Sequence, residues 1–314
     1  MIEPDHKPVL VHEVVQGIAP QANEVYVDAT FGRGGYTRAL LDAAPCQVIG
    51  IDRDPEAIAA GKALEQEYPQ RFRILEGAFS GLENLLRQAG IDAVDGIAFD
   101  LGVSSPQLDT PERGFSFRHD GPLDMRMSRD GQSAADLVNE TREEDLANII
   151  YQYGEERASR RIAKAIVTRR REQPFTRTLE LAQVIESVVP RRDETHPATK
   201  TFQALRIAVN GELDELEQGL QAAENMLAEG GRLAVVTFHS LEDRIVKNFL
   251  RKRAGKESRG SRHRPEIIVT QDVTFKLNHS KAIMPSDDEL RSNPRARSSK
   301  LRVATRVKGV SDAA

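Results

Sequence analysis

Short apolar runs alternate with amphipathic stretches along the first hundred residues. The runs EVYVDAT, QVIGIDRD, FRILEGAF and VDGIAFDLGV, starting at Glu24, Gln47, Phe72 and Val94, predict four strands. Between them GYTRALLDAA, PEAIAAGKALEQEYP and SGLENLLRQAG predict helices. Pro55 stands in the first turn of the second helix, where a missing N–H costs nothing. Strand and helix repeating in this way point to an α/β fold: a mostly parallel sheet with helices on both faces.

The rhythm stops after the fourth strand. From Ser104 to Ser133 the chain is rich in turn formers and has no clear period, and it is too long for an idle connection. AADLVNETREEDLANIIYQYG, EERASRRIAKAIVTRRREQ and RTLELAQVIESVVP then follow as helical patterns with no strand between them. Residues 104–205 therefore predict an all-helical insertion. The alternation resumes with one long helix, TFQALRIAVNGELDELEQGLQAAENMLAEGG, stopped by Gly230 and Gly231. RLAVVTFHS is a fifth strand and LEDRIVKNFLRKRA a helix; EIIVTQDVTFK and KLRVATRV supply closing strands. No internal repeat is visible. One discontinuous core domain, 1–103 and 206–314, split by the insertion, accounts for the whole pattern.

Composition narrows the class. Hydrophobic residues make up 39% of the 314, enough for a buried core. No apolar run approaches the roughly 20 residues of a membrane span, and the N-terminus lacks the order of a signal peptide. The single cysteine, Cys46, excludes a disulfide framework and a cysteine-rich zinc site. A soluble, cytoplasmic protein without a membrane partner is expected. Net charge is −4, yet Arg244 to Lys308 carries 18 Lys/Arg against 6 Asp/Glu, a balance of +12 that leaves −16 elsewhere. Such asymmetry suits either a solvated surface or a basic face for an anionic partner.

The candidate chemistry begins at YVDATFGRGGYT, residues 26–37, a Gly-rich turn leaving the first strand. Such a turn lets a ligand approach the backbone and presents helix N–H groups to it. The spacing Gly32-x-Gly34-x-x-Thr37 places a threonine where the dinucleotide fingerprint wants a third glycine. No nucleoside-triphosphate loop sequence exists. Asp52 ends the second strand, where a carboxylate can accept hydrogen bonds from both hydroxyls of an adenosine ribose. That fits NAD and S-adenosylmethionine alike. Asp28 separates them, since a sulfonium tolerates a carboxylate beside the loop and a pyrophosphate does not. Asp100 ends the fourth strand at the carboxyl edge of the sheet, where an acceptor can hydrogen-bond a target amine. The prolines and aromatic that accompany such an acidic residue in many amino-group methyltransferases are missing from Asp100-Leu101-Gly102-Val103.

TFGRGGYT, GIDRDPEAI, DLGVSSPQLDTPERGFSFRHDGPLDMRM, GEERASRRIAKAIV, HPATKTFQALRIAVNGEL, TFHSLEDRIVK and NPRARSSKLRVA occur in this order. From Lys7 to Arg306 the chain closely resembles the bacterial 16S rRNA (cytosine-N4)-methyltransferase family. The resemblance implies a class I, Rossmann-like methyltransferase core with a helical insertion that recognises RNA. It implies methyl transfer from S-adenosylmethionine to the exocyclic N4 amine of a cytidine in the decoding centre of 16S rRNA, within the small ribosomal subunit. By motif position it implies a cofactor site made of Gly34, Gly35, Tyr36, Asp52, Phe79, Asp100 and Gln107. Of these, Tyr36, Phe79 and Gln107 rest on the resemblance alone, and Phe79 reads equally as a core aromatic. The oligomeric state stays open, a homodimer included.

Such an enzyme must align nitrogen, methyl and sulfur and accept a proton late. Asp100, or the main-chain carbonyls of Leu101 and Gly102, are the candidates to accept hydrogen bonds from the amine. His239, after the fifth strand, suits a substrate contact, a proton acceptor or a hydrogen-bonded edge residue. His6 and His12 flank KPVLV near the N-terminus; no metal site is proposed. A cytosine must leave its stack to reach the pocket. Phe115 and Phe117, interleaved with Arg113 and Arg118, suit either RNA stacking or a buried loop anchor. Arg157, Arg160, Arg161, Lys164 and Arg169 to Arg171, with segments 251–264 and 291–308, are candidates for phosphate contacts.

Overall fold

The computed structural model describes residues 8–128, 130–190, 196–256 and 273–310. Seven strands form one sheet: β1 (Val25–Asp28), β2 (Gln47–Asp52), β3 (Phe72–Glu76), β4 (Val94–Asp100), β5 (Leu227–Thr237), β6 (Val273–Leu277) and β7 (Lys300–Val310), in the order β3-β2-β1-β4-β5-β7-β6. The pairs from β3 to β5 are parallel; β7 runs antiparallel to both β5 and β6. The chain winds outward from β1 to β3, then crosses back to β4 beside β1. Between these two strands the order reverses, and that is where open α/β sheets bind ligands.

Alternate strand residues feed two apolar clusters. Val27, Ile49, Ile97, Phe99 and Val235 belong to one, with α4 (Leu82–Gln88), α11 (Glu212–Met226) and α12 (Ser240–Arg253) supplying Leu86, Leu220 and Val246. Tyr26, Val48, Ala98, Ala234 and Val236 belong to the other, with α1 (Val11–Ile18), α2 (Gly35–Ala43) and α3 (Pro55–Glu67) supplying Ile18, Leu40 and Leu64. A period of two sends neighbours to opposite faces, so the inner strands are apolar on both sides.

The chain divides into two compact units, 1–102 with 213–314, and 103–212. The second is helical: α5 (Ser105–Asp109), α6 (Ala134–Glu140), α7 (Glu143–Gly154), α8 (Ser159–Arg170), α9 (Thr178–Val188) and α10 (Thr199–Asn210). Its core includes Phe115, Leu137, Ile150, Ile166, Ile185 and Phe202. The turn-rich stretch is folded upon itself. The buried Arg113 guanidinium donates to the carbonyls of Arg126 and Met127, both at 3.1 Å. Asn210 donates to the Met125 carbonyl at 2.8 Å and accepts from the Met127 amide at 2.9 Å.

Several elements depart from expectation. The long helix from Thr201 to Gly231 is two helices and the start of a strand. Gly211, at φ +62°, ends α10; α11 follows; β5 begins at Leu227 and contains Gly230 and Gly231. The register of β4 and β5 shifts between Val94↔Leu227 and Gly96↔Arg232, and this irregularity takes up the glycines. The second unit ends at Glu212, beyond the expected 205, because Ala208 and Val209 of α10 pack against the helical core and Asn210 bonds Met125 and Met127. The pattern starting at Ala134 breaks at the extended Thr141 into α6 and α7. Helix α1 was not expected. Of EIIVTQDVTFK, residues 266–272 lie outside the described residues, and Val273–Leu277 is a strand.

Candidate functional site

Asp28 closes β1 and is 1% exposed. Its carboxylate organises the loop that follows. Oδ2 accepts from the Thr37 amide at 3.1 Å and the Thr37 hydroxyl at 2.8 Å; Oδ1 accepts from the Thr30 amide at 3.4 Å. The residue that replaces the third fingerprint glycine therefore fastens the start of α2 to the end of β1. Gly34, at φ +75°, makes the turn; a Cβ there would meet the Phe31 ring at 2.7 Å. Phe31 in turn stacks on Phe72, centroids 5.3 Å apart. Gly35 opens α2 against Pro8. Gly34 and Gly35 thus allow close packing as well as an open backbone.

Asp52 ends β2 beside this loop. Oδ2 accepts from the Gly32 amide and Oδ1 from the Asp54 amide, each at 2.8 Å. The carboxylate is aimed by two main-chain donors, and each oxygen keeps a further lone pair. Burial raises its pKa against the pull of those amides.

Asp100 ends β4, opposite Val236 of β5. Its amide donates to Thr30 Oγ1 at 2.6 Å, so one threonine bridges the β1 loop to the end of β4. Asp100 Oδ1 is buried and has no hydrogen-bond partner among the described residues. The carboxyl titrates at about 8: burial raises it most, then the charge of Asp28. Asp28 itself is raised to about 6, again chiefly by burial. Tyr36 is within hydrogen-bond reach of Asp100 and opposes its shift, but the Tyr36 hydroxyl hydrogen points at the Val9 carbonyl, 2.6 Å away. Tyr36 is itself buried, and burial with the Asp100 and Asp28 charges holds its phenol well above the ordinary range.

The other expected residues fall in several places. Phe79 is half-buried in the turn after β3, its ring edge-on to Phe99 at 5.5 Å and packed on Gly219. Gln107 is buried in the helical unit, its Oε1 accepting from the Ser104 amide at 3.0 Å. His239 caps α12: its Nδ1 accepts from the Glu242 amide at 3.4 Å, and its Nε2 lies 3.0 Å from Glu242 Oε1, out of line for a hydrogen bond. His12 is exposed on α1, and His6 lies outside the described residues. Phe115 is buried in the helical core, and Phe117 stands against His196 and Phe202 at 4.5 and 4.8 Å. In the basic C-terminal run, Arg302 pairs with Asp243 at 2.8 Å and Arg306 donates to main-chain carbonyls, while residues 257–264 lie outside the described residues. No helix among the described residues is long and apolar enough to cross a membrane.

The donor set suits a cationic adenosine cofactor. Two buried carboxylates with raised pKa, one with an unsatisfied oxygen, gain from a positive charge and would repel a pyrophosphate. S-adenosylmethionine carries the required cations and a ribose for Asp52. Thr30, Thr37 and Glu242 were not singled out in the sequence. Thr37 showed only as a departure from the glycine fingerprint. Thr30 acts on an amide that chain order alone does not bring near, and Glu242 showed no signal apart from its helix.

A family model described as the MraW methylase family matches residues 3–307. Three proteins named Ribosomal RNA small subunit methyltransferase H are similar over nearly the whole chain. That of Paramagnetospirillum magneticum is 60% identical over 304 residues, covering 96% of each chain. That of Rhodospirillum centenum is 59% identical over 303 residues, covering 96% of this chain and 92% of its own. That of Rhodospirillum rubrum is 55% identical over 307 residues, covering 96% and 94%.

Proposed function

Because the chain belongs to the MraW methylase family and is a methyltransferase using S-adenosylmethionine, we propose that it methylates small-subunit ribosomal RNA, at the N4 amine of a cytidine in the decoding centre of 16S rRNA. The observation that carries this reading is the unsatisfied, buried Asp100 Oδ1 at the carboxyl end of β4. An exocyclic amine offers N–H donors, and this oxygen is an acceptor with no partner among the described residues. The assembled small subunit is the proposed form of the substrate.

Asp52, held by Gly32 and Asp54, would take the ribose hydroxyls. Asp28 and the loop from Gly32 to Gly35 would border the methionine portion, and Phe79 the adenine. Tyr36 and Gln107 are added from the family resemblance. When bound, S-adenosylmethionine supplies a methyl group already activated by a sulfonium. The chain's own task is orientation. The N4 lone pair is delocalised into the ring, so the amine must be turned with its hydrogens on acceptors and its lone pair toward the methyl carbon. Asp100 Oδ1, or the main-chain carbonyls of Leu101 and Gly102, would accept those hydrogens. Methylation would leave the nitrogen positive, and the proton it then loses would pass to the Asp100 carboxylate or to water. An Asp100 carboxylate holding that N–H stabilises the charge as it develops.

Two substitutions test the assignment. Asp100→Ala removes the acceptor, and transfer at saturating cofactor should fall by about 10²-fold or more. Asp100→Asn keeps an oxygen and removes the charge, so it should weaken cofactor binding while retaining more transfer than Ala. Calorimetry gives the first quantity, and label incorporation into small subunits the second. An Asp100→Ala protein that transfers at full rate would remove Asp100 from the mechanism.

A further inference from the structure

The helical unit contains a groove of about 600 Å³ at the start of α8, lined by Arg157, Arg160, Arg161, Pro190, Pro197 and His196 among others. We propose that this groove seats one nucleotide of single-stranded RNA, its phosphates on the three arginines and its base on the His196 ring. The inference rests on the RNA-methyltransferase reading and names where the helical unit holds its substrate.

The three arginines are exposed and have no ion-pair or hydrogen-bond partner among the described residues. Like charges crowded at the mouth of one groove repel each other, and a phosphate relieves that repulsion. Guanidinium groups match phosphate oxygens two at a time. Among the described lining residues the acidic one, Glu156, turns its Oε1 onto the Ala158 amide at 2.7 Å.

His196 is held as a platform. Its Nδ1 accepts from the Ala198 amide at 3.1 Å, which leaves the proton on Nε2, 2.8 Å from Glu186 Oε1. Phe117 lies against the ring at 4.5 Å with 34° between planes. An aromatic ring held at Nδ1, with a carboxylate beside Nε2 and another ring behind it, offers a base a preordered stacking surface. The volume lies within the roughly 300–1,000 Å³ of small-ligand pockets, and the mixture of cations, prolines and an aromatic suits a nucleotide. An acidic peptide would use the arginines and leave the ring idle.

The test is fluorescence anisotropy with a labelled single-stranded RNA of about ten nucleotides, across a salt series, on the full chain. Arg157→Gln, Arg160→Gln and Arg161→Gln combined should weaken binding by about tenfold or more at low salt and reduce the salt slope by roughly 1.4, since the two phosphates flanking one nucleotide each contribute about 0.7 on a single strand. His196→Ala should weaken binding with the slope unchanged, and His196→Phe should restore it. Thermal melts of each variant establish that it is folded. With small subunits as substrate, the same variants should raise KM and leave kcat and cofactor affinity unchanged. Parental affinity in the arginine variant, no loss in His196→Ala, or displacement of RNA by poly-glutamate as readily as by unlabelled RNA would each overturn the proposal. If the parent chain binds RNA in this groove but methylates no small-subunit RNA, the functional reading fails and the groove stands.

Discussion

In the proposed function Asp100 serves a cation and an amine, and its burial favours the protonated form, which serves neither. With a pKa of about 8 the carboxyl is mostly protonated at neutral pH. A bound cation favours the carboxylate, so cofactor binding should expel a proton below that pH. The dissociation constant should fall by up to about tenfold per pH unit between roughly pH 6 and 8, then level off. The stability of the free protein moves the other way. A carboxyl whose folded pKa is raised stabilises the fold fully below its unfolded pKa, and that contribution is lost as pH rises through about 8. Asp28, raised to about 6, adds the same sign at lower pH. Calorimetry in buffers of different ionisation enthalpy would count the proton, and Asp100→Asn should flatten the affinity profile; a profile equally steep in that variant would place the titrating group elsewhere. Asp28, Asp52 and Asp100 were legible because each ends an apolar strand. Thr30 was not, because its hydroxyl serves an amide 70 residues away.

At the scale of elements, α12 shows how a suggestive side chain can have a local purpose. His239 stood in the sequence as a substrate contact, a proton acceptor or an edge histidine. It caps the helix, with Glu242 accepting from the Phe238 amide at 2.8 Å. An N-cap is worth about 1 kcal/mol. His239→Ala should lower stability by about that amount in denaturant melts. His239→Asn, a good N-cap, should retain both stability and transfer rate; loss of transfer in a stable His239→Asn protein would give the ring a chemical role. The strands β1 to β4 were readable because strand and helix alternate there with distinct periods. The run from Thr201 to Gly231 was not. Gly211 sits within an unbroken helical pattern, and Gly230 and Gly231 resemble a helix stop although the β4 register draws them into β5.

At the scale of the whole molecule, the chain forms two compact units, 1–102 with 213–314 and 103–212, where the sequence leads one to expect an insertion over 104–205. The later boundary follows from packing: Ala208 and Val209, beyond 205, pack against the helical core, which no local pattern reveals. Charge was harder to read. Arg302 and Arg306 of the basic run are engaged inside the sheet unit, whereas Arg157, Arg160 and Arg161 of the helical unit stand exposed in a groove. A sequence shows how much charge an element carries but not which charges are already partnered.

The most direct measurement is transfer of a radiolabelled methyl group from S-adenosylmethionine to small ribosomal subunits from cells lacking this activity, followed by nuclease mapping and nucleoside analysis. The account predicts label on one decoding-centre cytidine of 16S rRNA, recovered as N4-methylcytidine. Label on a ring carbon, on another nucleoside, or nowhere while the cofactor still binds would contradict it.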